Sequence, residues 1–300
     1  MLPSAPVYAP TDSAVETRWL RIRGIERRIL ATPPPPAAAA AGASEPLVLL
    51  HGIAGSADEW LGVMPALAGR FRVLAPDAPG HGLSAKPACR DGHRYDLAYY
   101  VESTLAVLDA LGVTRAPLVA LSGAGPVALS IARQHPQRVS KLILVGAAGL
   151  GREVAWRYRL ATLPLMHLVF RRRDRRSIER FGRAMCHAPD RLPAGWVERR
   201  LEIWDTPGAV EAFFATLHAG VSLAGQRLTF AAALAEIRQP TLLIWGRQDP
   251  IIPVTHALAA SRALPDARLL IFEECGHMPM WEHPQRFVQA VQDFLTRTGD

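Results

Sequence analysis

Cysteine is scarce in this chain: Cys89, Cys186 and Cys275 are the only three among 300 residues, widely spaced and without a C-x-x-C pair. So small and dispersed a set excludes a disulfide-stapled framework and suits a reducing compartment. Lysine is scarcer still, with Lys86 and Lys141 alone, so the 34 basic residues are almost all arginine. Long hydrophobic runs are missing too. The longest uncharged low-complexity stretch, residues 32–44 (TPPPPAAAAAGAS), is too short to cross a bilayer, and its four consecutive prolines oppose a helix, which makes it a surface loop. The first nineteen residues offer neither the basic segment nor the apolar core of a secretory leader, so cytoplasmic residence is the expectation. The ten histidines show no H-E-x-x-H or similar spacing, and no basic segment carries interleaved aromatics. Neither a metal nor nucleic acid is expected.

What is present is apolar mass: 49% hydrophobic and 20% charged residues, enough for one large buried core. Short, nearly continuous apolar runs at 47–50, 71–75, 117–121, 142–145, 241–245 and 268–272 have the character of strands covered on both faces. Stretches of helical periodicity at 59–67, 97–111, 126–134, 256–264 and 284–295 separate them, and 17–23 with 25–31 form a leading strand pair joined at Gly24. Strand alternating with helix predicts a mostly parallel α/β sheet. From 151 to 228 the alternation stops: helix-like segments such as 177–184 and 209–217 appear, with no convincing strand. The expected organisation is therefore a core built from 1–150 and 229–300, interrupted by a helical insertion over 151–228. That insertion holds fourteen arginines against eight acids, so it carries most of the formal net charge of +7.

Open α/β sheets place functional groups in loops at the carboxyl ends of their strands. After the run at 117–121 comes Ser122-Gly123-Ala124-Gly125, then a helix. A serine on such a sharp turn projects from the sheet, and small residues two positions away, here Ala120 and Ala124, let strand and helix pack closely. Ser122 could instead merely cap the helix. The same segment also fits G-x-G-x-x-A, the dinucleotide fingerprint, but no Asp or Glu lies between Gly123 and Arg152 to hold a ribose. No cofactor is expected. A serine nucleophile needs a base, and the base needs an orienting carboxylate. Asp249 follows the run at 241–245 and His277 follows that at 268–272, in the order expected for such a sheet. After 47–50 comes His51-Gly52-Ile53, where the amide of Ile53 could join that of Gly123 as an oxyanion donor, with His51 anchoring the loop. The turn at 77–84 (DAPGHGLS) reads as structural.

HGIAGS at 51, DAPGHGLS at 77, ALSGAG at 120, GRQDPIIP at 246 and GHMPMWEHP at 276 together resemble the α/β-hydrolase superfamily, over residues 47–145 and 239–294. The resemblance implies an α/β-hydrolase fold whose insertion is a helical cap. It also implies Ser122 as nucleophile, His277 as base and acid, Asp249 as its carboxylate, and Ile53 with Gly123 as oxyanion donors. The chain departs from the usual G-x-S-x-G in having alanine at 120 and 124. Serine as the implied nucleophile sets it apart from the dehalogenase and epoxide-hydrolase branches, which use aspartate.

The implied activity is that of a serine hydrolase acting on a small ester or related acyl compound, carboxylesterase-like. GHMPMWEH also resembles the histidine region of meta-cleavage product hydrolases, which cleave carbon–carbon bonds, although the longer glycine-rich loop associated with them is absent. A third possibility is a binding member of the fold with little turnover. The apolar start of the insertion makes Trp156, Leu163, Met166 and Phe170, with Met278, candidate pocket residues, or else residues that pack cap on core. The arginine run at 171–176 is a solvated face, a docking patch for an acidic carrier protein, or a contact for an anionic or membrane surface.

Overall fold

A computed structural model describes residues 15–35, 45–89, 95–171 (side chains through 168) and 174–297. The chain enters through a hairpin, β1 (Glu16–Ile22) and β2 (Ile25–Ala31). Arg23 and Gly24 both take positive φ, 50° and 79°, which gives the two-residue turn whose twist matches that of paired strands. Then follow β3 (Leu47–Leu50), a short helix α1 (Met64–Ala68), β4 (Val73–Pro76), α2 (Leu97–Ala110), β5 (Ala116–Leu121), α3 (Gly125–Gln134) and β6 (Val139–Val145). The helix expected over 59–67 is instead a single 3-10 turn at Ala57–Trp60 followed by α1, in which Pro65 occupies the first turn, where its missing N–H costs nothing.

After β6 the chain passes through α4 (Trp156–Leu160), α5 (Met166–Arg171), α6 (Arg175–Arg183), α7 (Trp196–Asp205) and α8 (Ala209–Gly220). It then forms a two-residue hairpin, β7 (Val221–Ser222) with β8 (Gly225–Gln226), that the sequence pattern does not reveal, because two residues carry no periodicity. The sheet resumes with β9 (Thr241–Gly246), α9 (Thr255–Ala263) and β10 (Ala267–Phe272), and the chain ends on α10 (Pro279–Glu282) and α11 (Pro284–Thr296).

Eight strands form one sheet in the order β1-β2-β4-β3-β5-β6-β9-β10, parallel from β4 onward, with the entry hairpin antiparallel at one edge. Every residue of β3, β5 and β9 is buried, as strands with helices on both faces require. The sheet reverses direction of travel around β3, so the loops after β3 and β5 leave adjacent strands at the same rim. Residues 151–228 thus connect two neighbouring strands, β6 and β9, by a long helical excursion rather than by one crossover helix.

Candidate active site

β5 ends at Leu121, and the chain turns within one residue. Ser122 takes φ 50°, a left-handed conformation that costs a residue with a Cβ roughly 1–2 kcal/mol. One 3-10 turn, Ser122–Ala124, then leads into α3. Ala120 and Ala124 are both buried and fit beside the strained serine. The closest approach falls at Gly125 instead, where an added Cβ would stand 2.5 Å from Ala148 O. The carbonyl of Ser122 accepts the amide of Ala148 at 2.9 Å, which fastens this turn to the loop after β6.

Asp249 lies in the loop after β9 with its side chain fully buried. Its Oδ1 accepts the amides of Ile251 (2.8 Å) and Ile252 (3.0 Å), which leaves Oδ2 aimed at His277, whose Nδ1 lies 2.8 Å away. The imidazole of His277 is thereby held with Nδ1 as donor and Nε2 free to exchange a proton. Its backbone amide donates to Met185 O at 2.8 Å, so the insertion also positions the loop after β10. Glu282 adds to that hold: Oε1 accepts Gly276 N (2.7 Å), and Oε2 accepts His187 N (2.7 Å) and Ala188 N (3.0 Å).

Leu121 pairs with Val145, so Ser122 and Gly146 begin the loops of neighbouring strands, about 4.8 Å apart by sheet spacing. Gly146, at φ 49°, in turn abuts the pair: a Cβ there would lie 3.0 Å from His277 Nδ1 and 3.2 Å from Asp249 Oδ2. The serine, imidazole and carboxylate therefore share one rim. Ser122 Oγ itself makes no hydrogen bond among the described residues, and Ser122 lines a cavity at this rim.

Across from Ser122, the amide nitrogen of Ile53 lies 3.0 Å from the position a Cβ on Gly123 would take, and it donates to nothing among the described residues. Gly123 sits in the first helical turn, where amide N–H groups lack intrahelical acceptors. His51 braces this loop. Its Nδ1 donates to Gly52 O at 2.8 Å and its Nε2 accepts Ala78 N at 3.0 Å; burial holds its pKa below the usual value, so the ring stays neutral.

A cavity of about 170 Å³ opens beside Ser122, with Ile53, Val127, Tyr158, Leu217 and Leu228 among its apolar walls. The pocket residues expected from sequence are elsewhere. Trp156 is 70% exposed and Leu163 38%, Met166 packs into a small cluster with Trp204 and Phe214, and Met278 is buried in the core. Tyr158 faces the cavity, and a helix turns about 200° over two residues, so Trp156 falls on the opposite side. The side chain of Phe170 lies outside the described residues.

Arg27 and His81 also line the cavity; His81 belongs to the turn at 77–84 that reads as structural, and no sequence signal marked Arg27. Arg27 is buried and forms no ion pair among the described residues; Nε and Nη2 donate to Asp77 O and Nη1 to Ser103 Oγ, while burial brings its pKa down to about 10 against the opposing pull of Asp77. Burial, with His51 nearby, pushes His81 down to about 3, so it is neutral. Among the described residues no group of three or more His, Cys, Asp or Glu could hold a metal ion.

A family model for the alpha/beta hydrolase fold matches residues 45–284. A 2-hydroxymuconate semialdehyde hydrolase of Pseudomonas sp. (strain CF600) is 34% identical over 281 residues, covering 90% of this chain and 94% of that protein. An uncharacterized protein of Mycobacterium tuberculosis (strain ATCC 25618 / H37Rv) is 37% identical over 267 residues, 86% of this chain and 77% of that one. A solved structure of a membrane phospholipase A, described as a novel bacterial virulence factor, matches with a TM-score of 0.76 at 27% identity over 94% of this chain and 86% of its own. Strand order, family model and relatives agree, and the chain belongs to the α/β-hydrolase fold family.

Proposed function

We propose that the protein is a cofactor-independent serine hydrolase that opens a carboxylic ester, or a related acyl bond, through an acyl-enzyme on Ser122. The observation that carries this reading is the buried Asp249–His277 pair, 2.8 Å across, at the same rim as a serine held at positive φ. His277 Nε2 takes the Ser122 proton as Oγ bonds to the substrate carbonyl carbon. The amides of Ile53 and Gly123 receive the developing oxyanion. Collapse breaks the bond to the leaving oxygen, which leaves with the proton from His277; the same imidazole then takes a proton from water as water attacks the acyl carbon, and the second collapse breaks the bond to Ser122 Oγ, which recovers that proton as the acid departs. The Ser122–His277 contact closes when substrate fills the cavity, as catalytic hydrogen bonds commonly tighten on binding. Residues 151–228 serve as a cap on the core of 1–150 and 229–300.

The cavity's electrostatics favour a neutral substrate. Arg27, the one lysine or arginine lining it among the described residues, is already committed to Asp77 O and Ser103 Oγ, which leaves an acyl group as the natural occupant of the apolar walls. Carbon–carbon cleavage is the second reading, supported by the 34% identity to a 2-hydroxymuconate semialdehyde hydrolase. Purified protein should be assayed on short- and long-chain aryl esters beside a yellow ring-fission dienoate. Ester turnover should exceed dienoate turnover, and Ser122→Ala should lower it by at least about 10³-fold with the fold retained. Dienoate as the better substrate would move the assignment to the second reading. Undiminished ester hydrolysis by Ser122→Ala would sink both.

A further inference from the structure

The start of the insertion turns an apolar face outward. Trp156, Leu160, Leu163, Leu165 and Leu168 are all exposed, between 38% and 70%, as are Leu223 at the β7–β8 turn and Leu228 just beyond it. Single exposed leucines are ordinary, but this many on adjoining segments form a patch of the kind that marks an interaction site. Trp156 and Leu160 have i, i+4 spacing on α4, which places them on one side of it, and Leu163 and Leu165 follow in the turn after the helix. The hairpin is fastened next to them, because Arg159 Nε donates to Leu223 O at 2.7 Å. Leu165 adopts φ 68°, a left-handed conformation unfavourable for a leucine, and does so with its side chain in solvent. Neither burial nor packing accounts for that strain, and retained strain of this kind concentrates at functional surfaces.

The patch also rims the cavity. Leu228 belongs to both, and Tyr158 and Val221, on the same helix and hairpin as Trp156 and Leu223, line the interior. Positive charge borders it at the hairpin, where the exposed Arg227 donates from Nε to His218 O (2.9 Å) and Val221 O (3.1 Å). Arg159, whose Nε holds Leu223 O, adds a second cation beside that hairpin. On α6, the next helix along the chain, Arg176, Arg180 and Arg183 follow one face at i, i+4, i+7, and among the described residues only Arg183 of the three is paired, with Glu179. Arg172, Arg173 and the side chain of Arg171 lie outside the described residues.

We propose that this face docks on an anionic phospholipid bilayer, with Trp156 and the leucines entering the boundary between headgroups and acyl chains and the flanking arginines meeting lipid phosphates. Charge argues against a second copy of the chain, since that would press a segment with fourteen arginines and eight acids against itself. Position argues against a protein partner, which would cover the cavity entrance; a bilayer instead presents dissolved apolar substrate at that entrance. Among the described residues no helix is long and apolar enough to cross a membrane, so attachment would be to the surface. Docking stands apart from the reaction assigned to Ser122, because adsorption needs no turnover.

The test is co-sedimentation of the full chain with vesicles of phosphatidylcholine alone or with phosphatidylglycerol added. Binding should be at least about tenfold tighter to the anionic vesicles and should weaken with salt. Leu165→Glu with Leu168→Glu should reduce it by about tenfold or more, while melting temperature and turnover of a short, water-soluble ester stay as in the wild type. Binding unaffected by the double substitution, no preference for anionic vesicles, or a dimer in analytical ultracentrifugation that the same substitution dissolves would each overturn the proposal.

Discussion

Gly146 bears no functional group, yet it decides how closely the proposed base and its carboxylate can sit to the strand ends. The space beside its Cα is filled by the His277 ring and by Asp249 Oδ2, and its φ of 49° disfavours any L side chain. Gly146→Ala should leave the protein folded while displacing the imidazole by a few tenths of an ångström, and ester kcat should fall about tenfold or more with KM changed much less. Wild-type kcat in that variant would show that His277 tolerates movement the account does not allow. Ser122, Asp249 and His277 stood out in the sequence because each follows its own apolar run. Gly146 did not, because its importance arises only when β5, β6, β9 and β10 lie side by side. Trp156 and Leu163, read from sequence as pocket or packing residues, lie outside the lining of this cavity because the helix rotation that turned Tyr158 inward and Trp156 outward is a tertiary outcome.

The loops that present these groups are held from beneath by an ionic knot between elements. Arg28 on β2 donates from Nε to Asp77 Oδ2 (2.7 Å) and from Nη1 and Nη2 to both oxygens of Asp58, all three side chains being buried. Asp77 also accepts the amides of Ala57 (2.6 Å) and Leu83 (2.7 Å), so one carboxylate fixes the segments after β3 and β4. Burial alone would raise the Asp77 pKa; Arg28 outweighs it and holds the group below its ordinary value. A depressed folded pKa contributes stability above the unfolded value of about 3.9 and loses it as pH falls through the folded one. Asp77→Asn should therefore cost about 3–5 kcal/mol near neutral pH, measured by urea unfolding, with the difference from wild type shrinking on strong acidification. A gap that grows in acid would contradict the assignment. The structural character of DAPGHGLS was readable from its turn residues, whereas the ion partners were not, since Arg28 lies on a strand some fifty residues earlier.

Across the whole molecule, the insertion and the core are joined at the site rather than merely adjacent. Glu282 ties Gly276 to His187 and Ala188, Met185 O holds the amide of His277, and Arg200 on α7 reaches the buried Glu59 carboxylate at 3.5 Å. Burial pushes Glu59 up to about 8 despite the opposing charge of Arg200. The break in strand–helix alternation read at 151–228 falls within the stretch between β6 and β9, but cross-chain contacts such as these carry no sequence period. Of these, the Glu282 and Met185 contacts hold the loop that carries His277. The most direct measurement is reaction with a fluorophosphonate probe followed by peptide mapping. The account predicts one adduct, on Ser122, formed at least about 10³-fold more slowly in His277→Gln although that variant remains folded. An adduct on another residue, or labelling of Ser122 at an undiminished rate without His277, would contradict it.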